Sequence, residues 1–137
     1  MEQNKLVRYG RVSSTDPVRA TIRVMFDDED EMVSYDLPVI VQNSLKNKDY
    51  ALPDVGEHVV CLFLGNGISA GFCLGAVYDT SNPPPRNNQD IRSVDFADGT
   101  IVEYDRASHV LNINCVGDIN IKAAGKITIN GAIVDIN

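Results

Sequence analysis

Apolar and polar side chains alternate with a period of two along most of this sequence, and no stretch carries a convincing long helical period. The clearest alternation runs from Val110 to Asn137. Leu111, Ile113, Ile119, Ile121, Ile127, Ile129 and Ile133 all fall on odd positions, while Asn112, Asn114, Asn120, Lys122, Lys126, Thr128 and Asn130 fall on even ones. Strict alternation predicts extended chain with one apolar face and one wet face. The same stretch repeats: Gly117-Asp-Ile-Asn-Ile-Lys-Ala-Ala is followed eight residues on by Gly125-Lys-Ile-Thr-Ile-Asn-Gly-Ala. Each unit reads as one short strand ended by a glycine turn or kink.

Nothing elsewhere in the sequence is left over to cover that face. Fixing one residue costs roughly 1–2 kcal/mol of chain entropy, and burying one isoleucine returns about 2 kcal/mol. The ribbon therefore orders only if something packs on it, and copies of itself are the economical cover. Short repeats that cannot bury their own face are the signature of solenoids and fibres, whose units need stacked neighbours. The competing reading is an antiparallel meander continuing a globular sheet, since the strand lengths are ordinary.

Upstream, Leu6–Val12 is strand-like and Ser13–Pro17 supplies turn residues. Ala20, Ile22, Val24 and Phe26 alternate with Thr21, Arg23 and Met25, a half-buried strand. Residues 27–31 are five consecutive carboxylates, expected as an exposed hairpin tip because no core accepts them. As a calcium loop the run lacks both alternate ligand spacing and glycine. Met32–Tyr35 and Leu37–Val41 read as further strands, with Pro38 at an edge or bend, and residues 42–50 as room for one short helical turn. Val59–Leu64 is an uninterrupted apolar run of the kind found in central buried strands. Gly65-Asn66-Gly67 is a hairpin signal, and Ala70–Tyr78 returns as the partner strand. Five or so short strands with glycines where a sheet must coil predict an all-β fold whose N-terminal part, residues 1–79, is an OB-like barrel. Most aromatics are expected at inward-looking strand positions. Residues 80–90, with Pro83, Pro84 and Pro85, form a stiff linker. Residues 91–109 form a collar hairpin turning at Asp98-Gly99, and residues 110–137 form the repeating extension.

Composition narrows the function. Twelve basic against nineteen acidic side chains leave a net charge of −7, which disfavours binding to phosphate backbones, a process driven by Lys and Arg. No apolar run approaches the roughly 18 residues of a membrane span, and the N-terminal residues show no signal-peptide pattern, so synthesis in the cytoplasm is expected. Cys61, Cys73 and Cys115 lie in apolar stretches without C-x-x-C spacing and read as buried free thiols. Ser44, Ser69, Ser81, Ser93 and Ser108 sit in no nucleophile-elbow pattern, while Asp95, Asp98, Glu103 and Asp105 are expected on exposed turns and strand faces. No enzyme activity, metal or cofactor is predicted. The rival from another class is a binding module, an acidic barrel taking single-stranded nucleic acid or a glycan on its loops.

Several stretches together resemble the phage baseplate assembly protein V family: Pro53-Asp-Val-Gly-Glu-His-Val59, the Phe63 strand, Gly71 through Leu74-Gly75-Ala-Val-Tyr78, the proline linker, Asp98-Gly-Thr100 with Tyr104-Asp105, and the Ile-x-Ile repeats. The resemblance spans nearly the whole chain and rests on the order of the parts. It implies the central spike of a contractile tail: a homotrimer, with the barrel seated on the baseplate hub and a C-terminal intertwined β-helix aimed at the target cell envelope. Leu111, Ile113, Ile119, Ile121, Ile127, Ile129 and Ile133 would form the trimer core. Some family members end in a His-x-His apex that binds iron, whereas the only histidines here, His58 and His109, are far apart and away from the C-terminus. Alternation changes phase after Ile133, because Val134 and Ile136 are even-numbered. Gly131, Ala132, Val134, Ile136 and Asn137 would then form a platform for a separate tip-capping protein, such as the proline-alanine-alanine-arginine repeat proteins that cap related secretion spikes. Neither a lysozyme-like insertion nor a nucleic-acid partner is expected.

Overall fold

Between Thr21 and Phe26 the alternation does what period two dictates, and Ile22, Val24 and Phe26 are all buried on one side of a strand. The computed structural model describes residues 6–27, 32–65, 67–68 and 70–137, and among them it contains strands and no helix. The chain divides into two units, Met1–Pro84 and Pro85–Asn137.

The first unit contains β1 (Val7–Asp16), β2 (Thr21–Phe26), β3 (Met32–Val33), β4 (Leu37–Pro38), β5 (His58–Phe63) and β6 (Gly71–Ala76). Their order in the sheet is β3-β2-β1-β5-β6, with β4 also pairing β2, and the pairings are antiparallel. Just past β4, Val39 makes a parallel bridge to Cys73 of β6, and the Ile40 amide donates to the Cys73 carbonyl at 3.0 Å.

Val12, Ile22, Val24, Phe26, Leu37, Val59, Cys61, Phe63 and Cys73 make the core. Phe26 and Phe63 meet edge to face at 5.7 Å, and the Arg8 guanidinium lies over both rings at 5.6 and 5.5 Å. A cation over two aromatic faces seals apolar surface while its own charge is met by the ring quadrupoles. Ser34, the buried polar residue of this core, accepts from the Val24 amide at 3.0 Å and donates to the Tyr35 carbonyl. Strands approach so closely at two points that only glycine fits. A Cβ on Gly10 would sit 2.6 Å from Val24, and one on Gly71 would sit 2.4 Å from the Leu62 carbonyl oxygen.

Four expectations change. β1 does not stop at Val12 but runs through a bulge between Val12 and Ser14 to Asp16, because Ser13 Oγ donates to the Arg23 carbonyl and keeps the strand paired. The turn begins at Pro17, held by Asp16 Oδ1 accepting from the Val18 and Arg19 amides. Residues 42–50 hold no helical turn. Asn43 and Asp49 close an irregular loop instead, through Asp49 N to the Asn43 carbonyl and Asn43 N to Asp49 Oδ2. β5 is central, as its apolar run implied, yet its burial alternates, with Val59, Cys61 and Phe63 fully inside and Val60 and Leu62 half-buried. Finally, the aromatics do not mostly point inward: Phe26 and Phe63 are buried, whereas Tyr9, Tyr35, Tyr50, Tyr78, Phe96 and Tyr104 are exposed. Tyr35, Tyr50, Tyr78 and Phe96 lie outside the strands, where alternation sets no inward face, and Tyr9 and Tyr104 take the exposed side of theirs. The acidic tip over residues 28–31 and Asn66 of the hairpin signal lie outside the described residues.

In the second unit, β7 (Ile91–Asp95), β8 (Ile101–Asp105) and β9 (Val110–Asn114) form an antiparallel sheet in that order. The β7–β8 turn falls at Asp98-Gly99 as expected, with Gly99 at φ 96°, Phe96 N donating to the Thr100 carbonyl, and Asp98 Oδ1 accepting from the Thr100 amide. The β8–β9 turn has no glycine. His109 takes φ 61° there, and Asp105 Oδ1 accepts from the Ala107 and Ser108 amides.

Candidate assembly surface

The β7–β8–β9 register decides which side chains share a face. Directly opposed residues in an antiparallel ladder lie on the same side. Val94 opposes Val102, Val102 opposes Ile113, and Tyr104 opposes Leu111. One face of this sheet therefore carries Val94, Val102, Tyr104, Leu111 and Ile113 together, and every one of them is exposed. Of these, the sequence stripe contained only Leu111 and Ile113. The signal for the others was present in the Val102/Tyr104 alternation, but recognising it needed the register.

The opposite face mixes Ile91, Ile101 and Val110 with polar side chains, and its polar part is built around Arg86. Its Nε and Nη2 donate to Glu103 Oε2, and its Nη1 donates to Asp95 Oδ2 at 2.9 Å and to the Pro85 carbonyl. Glu103 and then Asp95 push the guanidinium further toward its charged form. Ser93 Oγ adds a bond to Asp95 Oδ1. Two carboxylates expected on exposed turns and strand faces do lie on strands, and there they fasten the chain to the sheet directly after the proline run. Arg86 was not singled out by sequence reasoning, because a lone arginine in a linker has no pattern.

Beyond Asn114 the chain has no assigned strand. Cys115 is half-buried, with Sγ 3.5 Å from the Asp118 carbonyl, and Val116 N donates to Thr100 Oγ1. From Val116 to Asn137 every residue is exposed, and the backbone bends at 116–117, 124–125 and 132–133. The eight-residue repeat of the sequence is thus an eight-residue repeat of backbone bends. Among the described residues, no backbone hydrogen bond forms within 117–137.

The seven stripe residues are between 50% and 80% exposed in the single chain. At the far end, Val134 and Ile136 are exposed as well, alongside Gly131, Ala132 and Asn137. Burying seven such side chains returns about 2 kcal/mol each, and leaving the amides and carbonyls unpaired beneath them forfeits that gain. Gly117 and Gly125 sharpen the point. Neither has a left-handed φ, and a Cβ on either would meet nothing within 4 Å. Nothing inside one chain calls for glycine at these bends.

The two histidines lie in different units. His58 opens β5 beside Asp79 and Tyr9, and His109 sits in the β8–β9 turn.

No protein-family model matches the sequence. Among curated proteins, the chain is similar to the spike protein of Escherichia phage P2, with 28% identity over 83 residues. That alignment covers 61% of this chain and 39% of the phage protein, so the chain spans about two-fifths of the length of the relative it matches. The likeness supports a relation to phage spike proteins.

Proposed function

We propose that this chain is a non-enzymatic, membrane-piercing spike of a contractile phage tail, a phage-tail-like bacteriocin or a related injection particle, acting as a homotrimer seated on the baseplate hub. The observation that carries the reading is the segment 115–137, bent every eight residues, lined by an exposed isoleucine stripe, and, among the described residues, without backbone bonds of its own. Three such segments wound about one axis satisfy all of these features together. The isoleucines meet in a dry core, each backbone pairs with its neighbours, and the glycines at 117 and 125 allow the chains to approach closely.

The N-terminal unit fits the role of an OB-like barrel that mounts the spike. In support, β1 pairs with both β2 and β5, β5 with β6, and β2 with β4, while the bridge from Val39 to Cys73 brings the chain after β4 against β6. These pairings are compatible with a partly open barrel. A spike transmits axial load, and interchain backbone bonds spread that load over many contacts at once. The exposed ends of Gly131–Asn137 would receive a separate capping protein, since unpaired strand backbone invites a partner. Sedimentation of the full chain tests the proposal. The expected particle has three times the mass of the 15.0 kDa chain, and a monomer at micromolar concentration overturns it.

A further inference from the structure

Cys61 of β5 and Cys73 of β6 are register partners, both fully buried and both free thiols. Directly opposed residues of an antiparallel ladder have Cα atoms about 4.5 or 5.5 Å apart, depending on the hydrogen-bonding site. Both separations fall inside the roughly 4.4–6.8 Å that a disulfide spans. The two side chains are buried in the same core, beside a register irregularity between Val60 and Cys61. We infer that Cys61 and Cys73 are a modification site, a cross-strand dithiol that closes to a disulfide inside the folded N-terminal unit when the chain meets hydrogen peroxide. The inference rests on the β5–β6 pairing alone and is independent of the assembly reading.

The two thiols are already unequal. Cys61 donates its S–H to Cys73, which pushes the Cys61 thiol up and draws Cys73 down toward its thiolate. Thiolate, not thiol, is the nucleophile, so Cys73 reacts first. Its sulfur attacks one peroxide oxygen, the O–O bond breaks, and hydroxide leaves to take up a proton as water, giving a sulfenic acid on Cys73. The Cys61 sulfur then attacks the Cys73 sulfur as its thiol proton departs. The S–S bond forms, the S–O bond breaks, and the second hydroxide collects that proton as water. Two thiols and one peroxide become one disulfide and two waters.

Access comes through β6. It stands last in the strand order, and beyond it lies the bridge to Val39 with its companion Ile40–Cys73 bond. An element held by so few bonds on one side opens locally far more often than the whole unit unfolds. The pair would stay reduced in a cytosol and close once the chain reaches an oxidising surrounding.

The test uses the reduced full chain carrying Cys115→Ser, which removes links between chains. The protein is treated with hydrogen peroxide in the native state, alkylated under denaturing conditions, and read by intact mass and peptide mapping. A parallel sample is oxidised in urea. The expected product is lighter by two hydrogens, takes no alkyl label, and yields a Cys61–Cys73 linked peptide that dithiothreitol releases. A Cys61→Ala variant in the same background should gain no such link. The inference is overturned if both cysteines remain alkylatable after treatment, if Cys73 proceeds to sulfinic acid without linkage, or if the link forms only in urea.

Discussion

His58 and Asp79 face each other across the end of the N-terminal sheet, Nδ1 of the imidazole against Oδ2 of the carboxylate. The Tyr9 ring tilts against the imidazole at 5.3 Å. The other carboxylate oxygen, Oδ1, accepts from Ser81 Oγ at 2.7 Å, from the Ser81 amide at 2.9 Å and from the Asn82 amide at 2.8 Å. One side chain therefore ties the last turn before the proline run to the first residue of β5.

The Ser81 hydroxyl, then the Asn82 amide and His58, hold the Asp79 carboxyl below its ordinary value. Amides at Thr100 and at Ala107 and Ser108 do the same for Asp98 and Asp105. A carboxyl with a depressed folded pKa contributes stability above the unfolded value of about 3.9 and loses it as pH falls through the lower folded value. Denaturant midpoints should therefore be flat from neutral pH down to about 5 and fall below about 4. Asp79→Asn should weaken the acid-side slope and lower the thermal midpoint by a few degrees, as measured by circular dichroism.

Parity along the stripe gives a second expectation. Ile121→Asp or Ile129→Asp would place three carboxylates together in a dry trimer core, at a cost of several kcal/mol. Sedimentation should show loss of the trimer. Asn120→Asp and Thr128→Asp, one position away on the wet face, should leave it intact. Equal behaviour of the two sets would refute the parity.

Among the described glycines the closest approaches are at Gly10 and Gly71 of the N-terminal unit. Gly71→Ala forces a methyl group against the Leu62 carbonyl and should cost about 1–3 kcal/mol of unfolding free energy. Gly10→Ala, whose Cβ meets Val24, Met25 and Phe26, should do the same. The readout is urea unfolding followed by tyrosine fluorescence.

Charge supplies a fourth. Exposed tyrosines at 9, 35, 50 and 78 remove the argument that the aromatics are hidden from a nucleic acid, so the case against that partner rests on the net charge of −7. No binding to single-stranded DNA is expected near physiological salt. Micromolar affinity that vanishes as salt rises would instead favour the binding-module reading.

The parts legible in the sequence were those that one residue's neighbours determine. Alternation located β2, and Asp98-Gly99 located its turn, because both are short-range signals. The eight-residue repeat located the bends at 117 and 125 for the same reason. What escaped depended on pairing across distance. The bulge in β1 shifts parity after Val12, the register of β8 against β9 collects Val102 and Tyr104 beside Ile113 and Leu111, and Arg86 finds Asp95 and Glu103 only once the sheet exists. The β8–β9 turn was missed because His109 adopts a left-handed φ without glycine, with Asp105 closing the turn from its side chain.

The unpaired backbone of residues 117–137 has a consequence for the cell that makes this chain. A lone copy presents a row of open amides and carbonyls beside an isoleucine stripe, the combination that templates fibrils when strands of like sequence meet. Overproduction without assembly partners is hazardous for the same reason that correct assembly is favourable, because both draw on the same unsatisfied edges. Under the proposed trimeric assembly, synthesis would have to be matched to the pace of assembly, so that each new tail is claimed by its sisters before it meets a stranger.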